Sequence, residues 1–103
     1  MDDTFIAKRL AKLRTELGVS ARDMSLSIGQ SNNYVSNIEN GKASPSIHGL
    51  FYICGYLKIT PRDFFDEENT NPRLLNELIE ELKPLSCTSI EHLIGLVREL
   101  RAK

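Results

Sequence analysis

The segment 30–37 is rich in uncharged side chains that can donate and accept hydrogen bonds. Its candidate recognition residues are Gln30, Ser31, Asn32, Asn33 and Asn37. An amide presents a donor and an acceptor side by side, and this pair matches the N6 and N7 atoms of adenine in the DNA major groove. A surface this poor in charge is unusual for a segment that needs only to be soluble. The alternative interpretation is that the three asparagines merely cap and solvate a weak helix.

The other reactive side chains form no pattern typical of catalysis or metal binding. The two histidines, His48 and His92, have no Cys, Asp or Ser arrangement around them that suggests either role. Cys54 and Cys87 are too far apart for a metal knuckle, and we expect Cys54 to be buried and Cys87 to lie in a loop. We therefore expect no enzyme, no cofactor and no metal site.

Composition places the chain among soluble globular proteins. It has 103 residues, of which 41% are hydrophobic and 26% are charged, so disorder is not expected. No apolar run approaches the ~18 residues of a membrane span, and the N-terminus does not resemble a secretory signal. We expect a cytoplasmic protein without a membrane partner. The formal net charge is −1, although basic residues outnumber acidic ones between positions 8 and 42.

Helical periodicity runs through the sequence and predicts an all-α fold of seven helices. Ser31 is the expected N-cap of the third helix, which Asn40 and Gly41 close, and the last helix is expected to begin around Thr88. The positions that recur on the inner faces of the first five helices predict a core. They are Leu10, Leu13, Met24, Val35, Ile38, Leu50, Ile53 and Leu57.

Several short motifs occur in a specific order and spacing. They are Gly18-Val19-Ser20, Met24, Ile28-Gly29, Val35-Ser36, Ile38-Glu39-Asn40-Gly41-Lys42, Pro45-Ser46, Leu50, Leu57 and Phe64-Phe65. This pattern resembles the phage repressor family of helix-turn-helix domains, the Cro/C1 or XRE type, over roughly residues 5–66. The resemblance implies a five-helix, lambda-repressor-like domain that binds double-stranded DNA. The third helix would lie in the major groove and read the bases.

The resemblance also implies roles for particular residues. Asn32, Asn33 and Asn37 fall where this family usually places its base readers. Helix ends that flank the groove would contact phosphates through Ser20, Arg22, Tyr34, Asn40 and Lys42. For Tyr34, packing on a thymine methyl or on its own domain is an open alternative.

Four further positions matter to this resemblance. Arg14 and Glu39 match a pair that bridges the first helix to the end of the recognition helix. Ala21 replaces a glutamine whose amide usually contacts a phosphate. Ser25 replaces the usual alanine, and its hydroxyl can bond a carbonyl one turn back.

The last third of the chain lies outside the resemblance. We expect a helix-turn-helix domain over residues 1–66, a linker at 67–71 and a helical pair at 72–103. Apolar residues recur along that pair and are candidates for a dimer contact: Leu78, Leu82, Leu93, Val97 and Leu100. Two helices cannot cover two such wide faces by themselves. They either join two copies of the chain, which we favour, or pack on their own domain.

We therefore expect a sequence-specific transcriptional regulator. The favoured form is a homodimeric repressor on a pseudo-palindromic operator, and the sequence identifies no small-molecule effector. The alternative is a protein-interaction module, such as an antitoxin or an antagonist. Such a module would act through the C-terminal helices and retain only a weak or vestigial DNA-binding face.

Overall fold

A computed structural model describes residues 2–103, and all regular structure in this range is α-helical. The helices are α1 (Asp3–Leu17), α2 (Ala21–Ser27), α3 (Tyr34–Glu39), α4 (Ile47–Leu57), α5 (Pro61–Phe65), α6 (Pro72–Leu82) and α7 (Cys87–Arg101). The predicted fold class, a helix-turn-helix domain followed by C-terminal helices, is confirmed. The chain divides into two compact units, the first ending at Arg73 and the second comprising Leu74–Lys103.

Local capping explains most of the helix boundaries. The Thr60 hydroxyl accepts from the Asp63 amide, and the Asp63 carboxylate accepts from the Thr60 amide, which gives α5 a complete capping box. The Ser20 hydroxyl accepts from the Asp23 amide and caps α2, and the Ser46 hydroxyl accepts from the Gly49 amide and caps α4. Gly18 ends α1 at a φ of 81°, a left-handed conformation that costs glycine little.

The core of the first unit consists mostly of aliphatic side chains, together with the buried aromatic ring of Phe64. Leu10, Met24, Val35, Ile53 and Phe64 are completely buried, and Leu13, Ile38 and Leu57 are nearly so. The prediction for Leu50 was wrong, because this residue is only partly buried and packs at the margin of the core. The core fixes α2 and α3 against α1, and this arrangement holds the segment between α2 and α3 in place.

One predicted helix start was wrong. Ser31 is not a cap, because α3 begins three residues later at Tyr34, and residues 32 and 33 form a turn. The last helix begins at Cys87, next to the expected start around Thr88, and the Ser86 hydroxyl caps it by accepting from the Ser89 amide. Cys87 is consequently the first residue of α7 and not a loop residue, although it is exposed.

The second unit carries a large apolar surface. Its α7 has no buried residue, and large apolar side chains on both helices and in the turn between them face solvent. They are Leu74, Leu75, Leu78, Ile79, Leu85, Leu93, Ile94, Leu96, Val97 and Leu100. Isolated exposed leucines are ordinary in proteins, but a continuous set along two helices is typical of a surface that another element covers.

Candidate nucleic-acid interface

A buried hydroxyl links α2 directly to the start of α3. Ser25 Oγ donates to the Ala21 carbonyl oxygen at 2.7 Å and accepts from the Val35 amide at 2.9 Å. The first contact was expected from the sequence, and the second was not. Because α3 has no side-chain cap of its own, Ser25 satisfies one of its otherwise unpaired amides. The hydroxyl of α2 therefore replaces the cap that Ser31 was expected to supply.

A second link joins α1 to the end of α3. Arg14 Nε lies 2.7 Å from Glu39 Oε2, and Arg14 Nη2 lies 3.0 Å from Oε1. A third nitrogen of the same guanidinium donates to the Val19 carbonyl at 2.7 Å. The bond to Glu39 raises the pKa of Arg14 above its usual range. Helix α3 is therefore held at its first turn by Ser25 and at its last residue by Arg14.

The candidate base-reading residues lie mostly before α3 and not within it. Ser31, Asn32 and Asn33 are exposed in the segment that leads into the helix, and Asn33 makes no side-chain capping bond. Gln30 and Asn37 are half-buried. The structure thus brings the three exposed residues to one end of α3, where their side chains are available to an external partner.

The candidate phosphate contacts lie at both ends of the α2–α3 unit. Ser20 and Arg22 are exposed at the start of α2, and Asn40 and Lys42 are exposed after α3. The Ser20 hydroxyl accepts from the Asp23 amide at 3.0 Å, so its own proton is available to a phosphate oxygen. The backbone turns sharply at Gly41, with φ of 76°, and the Lys42 amide donates to the Asn37 carbonyl at 2.8 Å.

Tyr34 packs against its own domain. Its side chain is half-buried at the edge of the core, and a Cβ added to buried Gly49 would overlap its hydroxyl. Burial raises the pKa of the Tyr34 phenol. This contact explains why α4 has glycine at position 49, and it fits the own-domain alternative that the sequence left open for Tyr34.

Reasoning from the sequence missed Arg9. Arg9 is one of the basic residues between positions 8 and 42 and was assigned no role, whereas the structure buries it to 4% exposure. The side chain donates to backbone carbonyls at and beyond the end of α5. One signal was present in the sequence: Arg9 lies three residues after Ile6 and four before Leu13, which places it on the inner face of an amphipathic helix, where a charged residue requires partners.

Helix α4 carries one cysteine, Cys54, and one histidine, His48. Burial raises the pKa of the Cys54 thiol to about 11, so Cys54 is a neutral, apolar side chain at ordinary pH. His48 is exposed on α4 and makes an edge contact with Phe51. In the part of the chain that is described, no helix is long and apolar enough to span a membrane.

The predicted dimer residues lie in the second unit and mostly face solvent. Val97 is 52% exposed and Leu100 is 61% exposed, and Leu78 and Leu93 are also exposed. Leu82 is half-buried.

Comparisons with known proteins give the family. A helix-turn-helix family model matches residues 10–64, more than half of the chain. Among solved structures, the chain is similar to the restriction-modification controller protein C.AhdI from Aeromonas hydrophila, at 30% identity and a TM-score of 0.58. That match covers 62% of this chain and 93% of the controller protein. A search of curated proteins found no significant match to the chain. The chain therefore belongs to the helix-turn-helix family of the Cro/C1 (XRE) type and is a DNA-binding transcriptional regulator.

Proposed function

We propose that the chain is a sequence-specific repressor that binds a pseudo-palindromic operator as a homodimer. The observation that carries this proposal is the exposed set Ser31, Asn32 and Asn33 beside a helix held at both ends. Side chains that read bases must be fixed in place, because a loosely held reader loses its discrimination between bases. The bonds from Ser25 and Arg14 provide that fixed support.

Base readout is assigned to the amide-rich segment. Asn32 and Asn33 are the best-presented candidates for bidentate contacts with adenine, and Gln30, Ser31 and Asn37 complete the reading surface. Ser20, Arg22, Asn40 and Lys42 would contact the phosphates on either side of the groove and set the register of the helix. Tyr34 is the weakest member of the phosphate set, since its hydroxyl lies over Gly49.

A dimer is needed because one short helix reads too few base pairs to select a site in a genome. The exposed apolar faces of α6 and α7 supply a surface that a second copy would cover. Two joined copies place two reading helices on one DNA face, which raises affinity by increasing the effective concentration of the second helix. Repression would follow when the bound dimer blocks a promoter. The similarity to a restriction-modification controller protein supports the regulatory role.

The same apolar faces also favour the second candidate function. A protein-interaction module, such as an antitoxin or an antagonist, would use α6 and α7 to bind a different protein. The formal net charge of −1 and the alanine at position 21 are consistent with a weakened DNA-binding face. The two functions differ in their dependence on salt, because phosphate contacts release bound counterions.

Selection of bound sites from a random DNA pool tests the proposal with the full-length chain. We expect enrichment of two related half-sites in inverted order, each being the short sequence that one copy reads. Affinity for the selected site should fall with salt, with a log–log slope steeper than about −5 for the dimer's phosphate contacts. Failure to enrich any sequence, together with a slope near zero, would contradict the repressor and favour the interaction module.

A further inference from the structure

Arg9 binds the segment that connects the helix-turn-helix domain to the C-terminal helices. Its Nε donates to the Phe64 carbonyl at 2.7 Å. Its Nη2 lies 2.8 Å from the carbonyl oxygen of Asp63 and 2.9 Å from those of Asp66 and Asn69. Carbonyls at the end of a helix lack partners within the helix, and here one guanidinium serves that end and the chain beyond it.

Three further contacts hold the same segment. Lys12 Nζ donates to the Thr70 carbonyl at 2.9 Å, one turn along α1 from Arg9. The ring of Phe5 stacks on Phe65 with centroids 6.0 Å apart. Pro72, the first residue of α6, is fully buried. Residues 67–71, expected to be a linker, are therefore attached to α1, because the side chains of Arg9 and Lys12 donate to the carbonyls of Asn69 and Thr70. We call the bonds from Arg9 and Lys12 to the carbonyls of residues 63–70 the Arg9 clasp.

We propose that the Arg9 clasp makes Arg9 and Lys12 positioning residues for operator recognition. By fixing where the chain leaves the helix-turn-helix domain, the clasp limits the distances that two joined copies can place between their reading helices. This inference rests on the proposed function, since it requires a dimer joined through the C-terminal helices. A flexible linker at 67–71 would instead let the dimer adapt to half-sites of different separation.

The physical scale of the effect follows from the geometry of DNA. One inserted base pair moves a half-site by about 3.4 Å along the duplex and rotates it by about 34°. A fixed exit point cannot follow that rotation without breaking contacts in one half-site. A released segment of several residues can follow it at small entropic cost. Tolerance to inserted base pairs therefore reports whether the clasp holds.

The first measurement tests whether the clasp exists in solution. Glu67 and Glu68 are exposed and lie within the clasped segment. Because proteases cut locally opened chain faster than held chain, cleavage there by a glutamate-specific protease should speed up when the segment detaches. In the full-length protein, we expect Arg9→Lys and Lys12→Ala to speed this cleavage at least tenfold. Glu16→Ala is the matched control, because it removes the Lys12–Glu16 pair but leaves the bond to Thr70. Equal cleavage rates in all four proteins would overturn the clasp.

The second measurement tests its role in recognition. Affinity is measured for the selected operator, for the same operator with one or two base pairs inserted at its centre, and for a single half-site. The wild-type protein and Glu16→Ala should lose at least tenfold in affinity on insertion. Lys12→Ala and Arg9→Lys should lose less than threefold, with half-site affinity unchanged within twofold. Lys12 is exposed, so Lys12→Ala tests the role even if Arg9→Lys fails to fold.

The possible failures are distinct. If the variants are cleaved faster but lose as much affinity on insertion as the wild type, the positioning role alone would be overturned. A parallel loss of half-site affinity would show that Arg9 and Lys12 support the domain itself and not the spacing. Selected sites with only one half-site would contradict the proposed dimer and the spacing role with it, while the cleavage rates would still report on the clasp.

Discussion

The hydroxyl of Ser25 in α2 lies 2.9 Å from the amide nitrogen of Val35 in α3 and caps a helix to which it does not belong. The same hydroxyl donates its proton to the Ala21 carbonyl oxygen at 2.7 Å, so its position is fixed from both sides. Both Ser25 and Val35 are completely buried. The relative placement of the two central helices thus depends on one small polar side chain in the core.

Replacement of Ser25 by alanine should destabilise the protein and weaken operator binding. The Val35 amide would lose its partner in a buried site, which costs about 1–3 kcal/mol of unfolding free energy. Ser27→Ala is the control, because Ser27 is exposed at the end of the same helix. Denaturant unfolding gives the free-energy difference, and filter binding gives the affinities. Equal stability of the two variants would show that the Ser25 contact contributes nothing.

Arg14 and Glu39 should be coupled in a double-mutant cycle. The pair is bidentate and its side chains are 19% and 11% exposed, so the coupling should exceed about 1 kcal/mol. The pair between Lys83 and Glu80 is the control, since both side chains are largely exposed and should couple by less than about 0.5 kcal/mol. Unfolding free energies of the four proteins in each cycle give the answer. Additive losses of unfolding free energy at Arg14 and Glu39 would show that the two side chains do not act together to hold α3.

The candidate base reader Asn33 and the candidate phosphate contact Lys42 should respond differently to mutation. Asn33→Ala, like Asn32→Ala, should weaken the selected site by about 1–3 kcal/mol and relax the base preference. Lys42→Ala should weaken all sequences about equally and flatten the salt dependence. Competition binding on selected and random duplexes at several salt concentrations separates the two effects. Equal losses of Asn33→Ala on both duplexes would mean that Asn33 does not read bases.

A charge on the apolar face of α7 should dissociate the proposed dimer. Val97 is half-exposed among leucines, and a glutamate there would place a charge in the dimer contact. His92→Glu is the matched control, because His92 is exposed on the same helix and lies about 140° around its axis from Val97. Sedimentation at tens of micromolar should show a monomer for Val97→Glu and a dimer for the control. A monomeric wild type would indicate that the helices pack on their own domain.

Two glycines of α4 should respond to alanine with opposite signs. At Gly49 the new Cβ overlaps the Tyr34 hydroxyl and lies 3.2 Å from Ser46 Oγ, so we expect a loss of about 1–3 kcal/mol. At Gly55 nothing lies within 4 Å, and the better helix propensity of alanine should add up to about 1 kcal/mol. Thermal unfolding measures both. Tyr34→Phe should rescue Gly49→Ala, and a failure to rescue would place the strain elsewhere.

The sequence by itself determined the local features of this protein. Amphipathic periodicity predicted the helices, Asn40 and Gly41 close α3 as expected, and most predicted core residues are buried. The motif from Ile38 to Lys42 gave the family. These features are readable because their causes lie within one helix turn or one stripe, where residue type and spacing are enough.

Only the tertiary structure decided where α3 begins and what Arg9 does. Ser31 is a good cap by residue type, but the hydroxyl that caps α3 comes from Ser25 in another helix, so the helix starts at Tyr34. The carbonyls that bind Arg9 lie 54 to 60 residues further along the chain. A hydrogen bond from a side chain to a distant backbone carbonyl produces no pattern in the sequence, because every residue has the same backbone carbonyl. Which of them meets a buried guanidinium is set by the packing of the helices.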